Sequence, residues 1–196
     1  MPKVFGCDVA RFGDDASVII MRWGQQATAP LVMRGKDTQH VAGAIVRQAD
    51  EWKPDAIFID DGGVGGGVTD RLRALGYRVI PVQFGASPHD PRYSSKRTEM
   101  WFSMKAWFAA GGAITKDERL IRDLCSPRYE YRDGNDRIAL EKKSEIKKRG
   151  LPSPDYADAL ALTFAEPVRS RDEAVGAASR RQELQKSDFH PFKRRP

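Results

Sequence analysis

The stretch VFGCDVARFGDDASVIIMRW, residues 4–23, decides the fold. Residues 4–9 form an apolar run that ends next to an aspartate, Asp8, and this pattern predicts a buried strand. The glycine- and aspartate-rich segment 10–15 predicts a turn. The apolar, β-branched segment Ser17–Trp23 predicts a second strand. Together these features predict an antiparallel hairpin at the beginning of a sheet.

The sequence that follows extends this hairpin into a mixed sheet. Residues 31–34 predict a third antiparallel strand, and a helix beginning at Asp37 or Thr38 is predicted to run to about Asp50. The fully apolar run 56–59 is typical of a central strand covered on both faces. Further helices are predicted at 64–75, 94–110, 117–125 and 154–164, and strands at 78–82, 128–131 and 137–140. An antiparallel meander followed by αβ units predicts an α/β fold, with a mixed sheet of five or more strands flanked by helices.

Charge and composition divide the chain into two regions. The net charge of the 196 residues is +6, and residues 167–196 contain eight Lys/Arg and four Asp/Glu. The C-terminal segment therefore carries +4 (8 minus 4), which leaves +2 for the other residues (6 minus 4). We interpret 1–166 as one domain and 167–196 as a basic, flexible tail. No run approaches the roughly 20 apolar residues of a membrane span, so the sequence predicts a cytoplasmic protein with no membrane partner.

Four aspartates fall at comparable structural positions. Asp8 and Asp60 end predicted strands, and Asp155 and Asp158 lie three residues apart in the first turn of the last helix. Carboxylates that converge repel one another, and a divalent cation removes that conflict. Oxygen ligands without nearby His or Cys suit Mg²⁺ or Mn²⁺, and two such ions support phosphodiester hydrolysis. The alternative for each aspartate is a turn-forming or helix-capping role.

A glycine-rich turn and a nearby acid add two less specific features. Asp14 lies just after the first strand, where a metal-ligand role and a simple β-turn role both remain open. The turn GGVGGG, residues 62–67, superficially resembles a phosphate loop. Val68 stands where that motif requires lysine, so an ATP-binding P-loop is excluded. The glycines predict either a close backbone approach to a ligand or a tight strand-to-helix connection.

Two basic clusters are candidate contacts for double-stranded DNA. One cluster begins the helix predicted at 94–110, and the other precedes the last helix. Lysine and arginine contacts to phosphate supply affinity that does not depend on base sequence. The alternative is an ordinary solvated surface. The candidate residues are Lys96, Arg97, Lys142, Lys143, Lys147, Lys148 and Arg149.

Four segments together resemble a known family. They are FGCDVARFGDDASVI (5–19), IFIDDGGVGGGVTDRL (57–72), SSKRTEMW (94–101) and SPDYADALALTFA (153–165). In order and spacing they resemble the nuclease domain of the large terminase subunit of tailed bacteriophages, which has an RNase H-like fold. The last segment also resembles the acidic helix of Holliday junction resolvases.

The resemblance implies a metal-dependent endonuclease that cuts double-stranded, concatemeric viral DNA during genome packaging. It implies two Mg²⁺ or Mn²⁺ ions held by Asp8, Asp60 and either Asp155 or Asp158, with Asp14 as an accessory acid. The family pattern favours Asp60 over Asp61.

The resemblance also implies partners and a location. The expected partners are the packaging ATPase domain, the small terminase subunit and the portal, and the expected location is the cytoplasm of the infected host. Large terminases carry an ATPase with Walker motifs, and these 196 residues contain none. The ATPase is therefore expected on another segment or another chain.

Three other functions remain as alternatives. The first is another RNase H-like nuclease, such as a junction resolvase or an RNase H. The second is an actin-like ATP-binding fold, which the length of 196 residues disfavours. The third is a non-catalytic module that binds DNA or a portal and whose acids only cap helices and turns.

Overall fold

The first strand lies at the centre of the main sheet. The computed structural model describes residues 1–10, 16–132 and 137–170. The strands of the main sheet are β1 (Lys3–Asp8), β2 (Ser17–Trp23), β3 (Gln26–Ala27), β4 (Leu31–Met33), β5 (Ala56–Asp60) and β6 (Val79–Val82). The helices are α1 (Thr38–Trp52), α2 (Gly65–Ala74), α3 (Lys96–Ala109), α4 (Glu118–Cys125), α5 (Lys143–Lys148) and α6 (Asp155–Leu162). A second sheet contains β7 (Tyr129–Arg132) and β8 (Arg137–Leu140).

The pairing of the strands confirms the predicted mixed sheet. The strand order is β3-β2-β1-β5-β6, with β4 also paired to β2. β1 runs antiparallel to β2, and β5 runs parallel to both β1 and β6. The carboxyl ends of β1 and β5 therefore meet at one edge of the sheet, where Cys7 lies opposite Ile59. The residues that follow, Asp8 and Asp60, are placed at this edge.

Two hydrophobic layers cover the two faces of the sheet. Alternate residues of a strand point to opposite faces. Phe5 and Ile57 pack with Val41 of α1 and Leu72 of α2 on one face. The other face is covered by α3, α4 and α6; its buried residues include Val4, Ile20, Phe58, Met100, Trp101, Leu120 and Leu160. By the same alternation, Asp8 and Asp60 belong to the face that α6 covers.

Gly6 allows β1 and α6 to approach unusually closely. A Cβ atom at Gly6 would lie 1.9 Å from the backbone oxygen of Ala159. Only glycine therefore fits at this crossing. The close contact brings the end of β1, with Asp8, beside the beginning of α6, with Asp155 and Asp158.

Several element bounds differ from the sequence predictions. The sequence predicted no helix between residues 140 and 154, but residues 143–148 form α5, in which Ile146 is the buried residue. The two-residue strand β3 was not predicted. α3 begins at Lys96 with Ser95 as its N-cap, since the Ser95 hydroxyl accepts a hydrogen bond from the Thr98 amide.

The remaining predictions concern the C-terminus and the membrane. Residues 171–196, which include most of the predicted tail, lie outside the described residues. Among the helices of the described ranges, none is long and apolar enough to cross a bilayer.

Candidate metal centre

Carboxylates from three elements gather at the edge of the sheet. Asp8 ends β1, Asp60 ends β5, and Asp155 and Asp158 lie in the first turn of α6. Asp8 and Asp155 are each 5% exposed and Asp158 is 0% exposed, while Asp60 is half-buried. Buried carboxylates this close together require compensating positive charge.

The ammonium group of Lys143 supplies positive charge to this cluster. Its Nζ lies 2.9 Å from Asp8 Oδ2, 3.1 Å from Asp158 Oδ2 and 3.6 Å from Asp155 Oδ1. Lys143 is the first residue of α5, the helix that the sequence analysis missed. The sequence predicted Lys143 as a DNA contact, and the structure places its charge among the carboxylates.

Asp158 is held by several donors in the interior. Arg97 Nε and Trp101 Nε1 both donate to Asp158 Oδ1, at 2.8 Å and 2.7 Å, and Arg97 Nη2 lies 3.3 Å from Oδ2. Burial alone would raise the pKa of Asp158, but the adjacent charges of Arg97 and Lys143 hold it below its usual value. Asp158 is therefore an ionised anchor for α3 and α5.

Asp155 has a different environment, at the opposite end of the same helical turn. Its Oδ2 accepts a hydrogen bond from the Ala16 amide at 3.2 Å, and its Oδ1 faces the Lys143 ammonium group. Ala16 immediately precedes β2. Asp155 therefore joins α6 to the hairpin that carries Asp8.

Asp8 and Asp60 both have raised pKa values, and burial is the largest cause. Burial raises the pKa of Asp8 to about 7, against the lowering effect of Lys143, and the charges of Asp158 and Asp155 raise it further. Burial also raises the pKa of Asp60, partly offset by the hydrogen bond from the Gly62 amide. Charge repulsion and burial thus make both carboxylates receptive to a cation.

The glycine-rich turn after β5 fixes the position of Asp60. The Gly62 amide donates to Asp60 Oδ1 at 3.1 Å. A Cβ atom at Gly65 would lie 1.9 Å from the backbone oxygen of Asp60, so α2 can begin here only with glycine. The neighbouring Asp61 instead accepts a hydrogen bond from the Thr69 hydroxyl at 3.3 Å. The two adjacent aspartates therefore have separate surroundings.

The structure separates the other basic candidates into buried and exposed residues. Lys96 and Arg97 are 6% and 7% exposed. Lys96 pairs with Glu99 and Glu166. The exposed candidates include Lys148, which pairs with Glu145, and Arg149, which pairs with Glu141. Lys142 and Lys147 are also exposed. Asp14 lies outside the described residues.

Sequence reasoning missed the network that supports the cluster. It assigned no role at the site to Trp101, although the indole nitrogen of Trp101 donates a hydrogen bond to Asp158. Arg97 and Asp158 are 61 residues apart, so no spacing rule on one helix or strand links them. The available signal was the composition of the helix 155–162, whose aspartates are surrounded by Ala, Leu and Tyr. A carboxylate in such a setting requires a buried partner.

The donor set fits a hard divalent cation. Carboxylate oxygens are the preferred ligands of Mg²⁺ and Mn²⁺. In the described part of the chain, no group of three or more His, Cys, Asp or Glu side chains is already arranged to hold a metal ion. The carboxylates instead surround the Lys143 ammonium, which shows that this position accepts a positive charge.

Comparisons with known proteins identify the fold. No family model and no curated protein matches the chain. The nuclease domain of the large terminase subunit gp2 of bacterial virus Sf6 superposes with a TM-score of 0.74 and 20% identity, covering 86% of this chain and 90% of that chain. The large terminase nuclease from thermophilic phage G20c with bound magnesium gives a TM-score of 0.60 and 19% identity, over 84% and 81% of the two chains.

This chain has the large-terminase nuclease fold. The nuclease domain of Thermus phage P74-26 gives the same TM-score of 0.60 at 15% identity, over 83% of this chain and 78% of that chain. A mutant Sf6 domain was solved with manganese. The RNase H-like architecture predicted from four sequence segments is thus confirmed, and the large-terminase nuclease fold places Asp8, Asp60 and α6 at one edge of its sheet.

Proposed function

We propose that this chain is a divalent-metal-dependent endonuclease that cleaves double-stranded DNA. The observation that carries the proposal is the position of Lys143. Its ammonium group contacts three buried carboxylates from β1 and α6, whereas the nearby Arg97 pairs with Asp158. A buried site that gathers acids around a lysine ammonium group, on a fold shared with nuclease domains, is suited to metal-assisted hydrolysis.

We assign the metal ligands to Asp8, Asp60 and Asp155. Asp8 ends the central strand β1 and shares the Lys143 ammonium group with Asp155, so these two acids would hold a metal ion together. Asp158 is already engaged by Arg97 and Trp101, so we assign it a positioning role. Asp14 remains an accessory candidate. Two bound Mg²⁺ or Mn²⁺ ions would supply an activated water and stabilise the leaving oxygen.

Lys143 has two roles in this proposal. Before metal binds, its ammonium group neutralises Asp8 and Asp158. If metal ions held by Asp8 replaced this charge, the Lys143 side chain would be available to a DNA phosphate, with the exposed Lys142 beside it in sequence. This exchange agrees with the sequence-based assignment of Lys143 as a DNA contact. Arg97 stays with Asp158 and holds α3 against α6.

The biological setting that we propose is supported by the resemblance to large-terminase nuclease domains. The substrate would be concatemeric viral DNA, cut during genome packaging in the host cytoplasm. The partners would be a packaging ATPase domain, the small terminase subunit and the portal. The exposed Lys147, Lys148 and Arg149 are candidates for holding the DNA backbone.

Variants of the aspartates test the proposal. We expect Asp8→Asn and Asp60→Asn each to lower the cleavage of linear duplex DNA at least about 100-fold in Mg²⁺ or Mn²⁺, because each loses a charged ligand. DNA binding should persist, since removing negative charge does not weaken a polyanion's contacts. Asp61→Asn is the matched control, because Asp61 contacts Thr69 and not the cluster. Gel assays of cleavage and anisotropy assays of binding measure the two effects.

The same assay separates the alternatives. Linear duplex, a four-way junction and an RNA–DNA hybrid are compared side by side. Preference for the junction would favour a resolvase-like enzyme, and preference for the hybrid an RNase H. Normal cleavage by Asp8→Asn would refute the metal ligands, and absence of any cleavage by the wild type in both metals would favour a non-catalytic DNA- or portal-binding module.

A further inference from the structure

A cavity lies beside the candidate metal centre, on the side of Asp155. It has a volume of about 420 Å³ and is lined by residues that include Arg119, Lys147, Ser153 and Asp155. Arg119 comes from α4 and Lys147 from α5, while Ser153 lies two residues before the first residue of α6. The cavity shares Asp155 with the cluster that contains Lys143, so any molecule that occupies it adjoins the metal centre.

Several contacts hold the guanidinium group of Arg119 in place in the lining of this cavity. Its Nε donates to Asp123 Oδ1 at 3.0 Å, and its Nη2 lies 3.4 Å from the backbone oxygen of Ser153. Its Cζ lies 5.7 Å from the centre of the Tyr156 ring. Asp123 is itself 1% exposed and accepts a hydrogen bond from the Tyr156 amide. These contacts engage Nε and Nη2 and hold the planar group in one orientation.

The hydroxyl group of Ser153 has no partner in the protein. Ser153 is 3% exposed, and its Oγ is the one buried side-chain nitrogen or oxygen in the described ranges that lacks a hydrogen bond. Burying a polar atom without a hydrogen-bond partner is energetically unfavourable. In folded proteins a bound water or ion is one explanation for such an atom. The serine lines a cavity that also contains a fixed arginine.

The charge of the lining favours an anion. Arg119 and Lys147 are the basic residues of the lining and Asp155 is the acidic one, while Asp123 pairs with Arg119 from outside the lining. The Asp155 carboxylate already receives the Ala16 amide and faces Lys143. An anion with several acceptor oxygens could accept hydrogen bonds from the Ser153 hydroxyl and the Arg119 guanidinium group at the same time. Phosphate has several such oxygens.

We propose that the cavity bounded by Arg119, Lys147 and Ser153 is a subsite for a backbone phosphate of the DNA strand that is cut. The assignment rests on the proposed nuclease function, because it places this phosphate next to the scissile one at Asp8 and Asp155. Arg119 and Ser153 bind the phosphate oxygens. Asp123 is a positioning residue that acts through Arg119. The subsite fixes the strand without reading base sequence.

Ser153→Ala is the decisive variant. It removes a hydroxyl that has no partner, so the fold is not weakened by its loss. With the whole chain in EDTA, where no cutting occurs, we expect binding to a duplex of about 20 base pairs to weaken about 5- to 10-fold, which is within the range of one ordinary hydrogen bond. Ser144→Ala, an exposed serine in α5 outside the cavity lining, is the matched control and should bind normally.

Arg119→Lys provides an independent second variant. It retains the charge but loses the planar fork, so we expect weaker binding with an unchanged dependence on salt concentration. Arg122→Lys, on an exposed position of the same helix, is its control. In Mg²⁺ both cavity variants should raise the KM for DNA more than they lower kcat, because they remove binding to a phosphate that does not react.

The outcomes separate the subsite from the nuclease proposal. Weakened DNA binding by Ser153→Ala and Arg119→Lys, with normal controls, supports the subsite. Wild-type binding by Ser153→Ala would overturn it, even if the protein cleaves DNA. If the wild type fails to cleave in any metal while Ser153→Ala still weakens binding, the nuclease function fails and the phosphate subsite stands.

Discussion

At the scale of single residues, the structure distinguishes two aspartates that the sequence presented as equivalent. Asp155 and Asp158 share one helical turn. Asp158 is 0% exposed and is bound by Arg97, Trp101 and Lys143. Asp155 contacts Lys143 and a backbone amide. The contacts of Asp158 stabilise the packing of α3 and α5 against α6, and Asp155 is the acid of this pair that we propose as a metal ligand.

The variants Asp158→Asn and Asp155→Asn should therefore differ in their effects on stability and on metal binding. Asp158→Asn leaves the buried Arg97 without its charge partner, and we expect the free energy of unfolding to fall by about 3–5 kcal/mol. Asp155→Asn should lower the free energy of unfolding by less than Asp158→Asn does. It should, however, weaken Mn²⁺ binding at least about 10-fold. Urea unfolding in EDTA and calorimetry with Mn²⁺ measure these quantities. The reverse pattern would make Asp158 the metal ligand.

Asp8 gives a prediction about pH. Its pKa in the folded protein is about 7, raised by burial from its ordinary value of 3.8. Between these values the folded state holds a proton that the unfolded state has lost, so this group makes the metal-free protein less stable as pH rises from about 4 to 7. Above about pH 7 its contribution is constant. Lys143 stays charged throughout, because the neighbouring acids raise its pKa.

Denaturant unfolding of the wild type and Asp8→Asn in EDTA measures this effect, because asparagine does not titrate. The wild type should lose stability relative to the variant between pH 4 and pH 7. A difference that stays constant across this range would show that the Asp8 carboxyl titrates at an ordinary pH.

At the scale of elements, the turn between β5 and α2 controls the position of Asp60. Gly65→Ala would place a Cβ 1.9 Å from the Asp60 backbone oxygen, so the turn must shift. We expect this variant to lose at least about 10-fold in cleavage, since a displacement of about 1 Å is costly in a catalytic site. Gly67→Ala, in the same helix, has no atom within 4 Å of the new Cβ.

Gly67→Ala should keep its activity and gain up to about 1 kcal/mol of stability, because alanine favours helix. Cleavage rates and thermal unfolding of the two variants are compared directly. Equal activity of Gly65→Ala and Gly67→Ala would show that this turn does not position Asp60.

The elements also show what the sequence could predict. Continuous apolar runs and capping residues located β1, β2, β5, α1 and α3 to within about two residues. α5 was missed because it is short, strongly basic and has Ile146 as its buried residue. The acids of the candidate site could be named because they end strands or begin a helix. The sequence could not identify Arg97, Trp101 and Lys143 as the partners of these acids, because those contacts depend on the packing of distant segments.

At the scale of the whole molecule, the sheet brings distant residues to one edge. Asp8, Asp60, Lys143 and Asp155 span most of the domain, and the parallel pairing of β1 with β5 and the close crossing at Gly6 place their elements together. The excess positive charge outside residues 167–196 is only +2 (6 minus 4). In the proposed function, DNA binding by this part of the molecule would therefore depend on local basic groups near the candidate metal centre.

The most direct test of the metal centre is a crystal soaked in Mn²⁺ and measured near the manganese absorption edge. We expect anomalous density in contact with the Asp8 carboxylate and with Asp60 or Asp155, and movement of Lys143 Nζ away from its 2.9 Å contact with Asp8. Lys143 remaining in that contact, with manganese absent from these carboxylates at saturating concentration, would contradict the account.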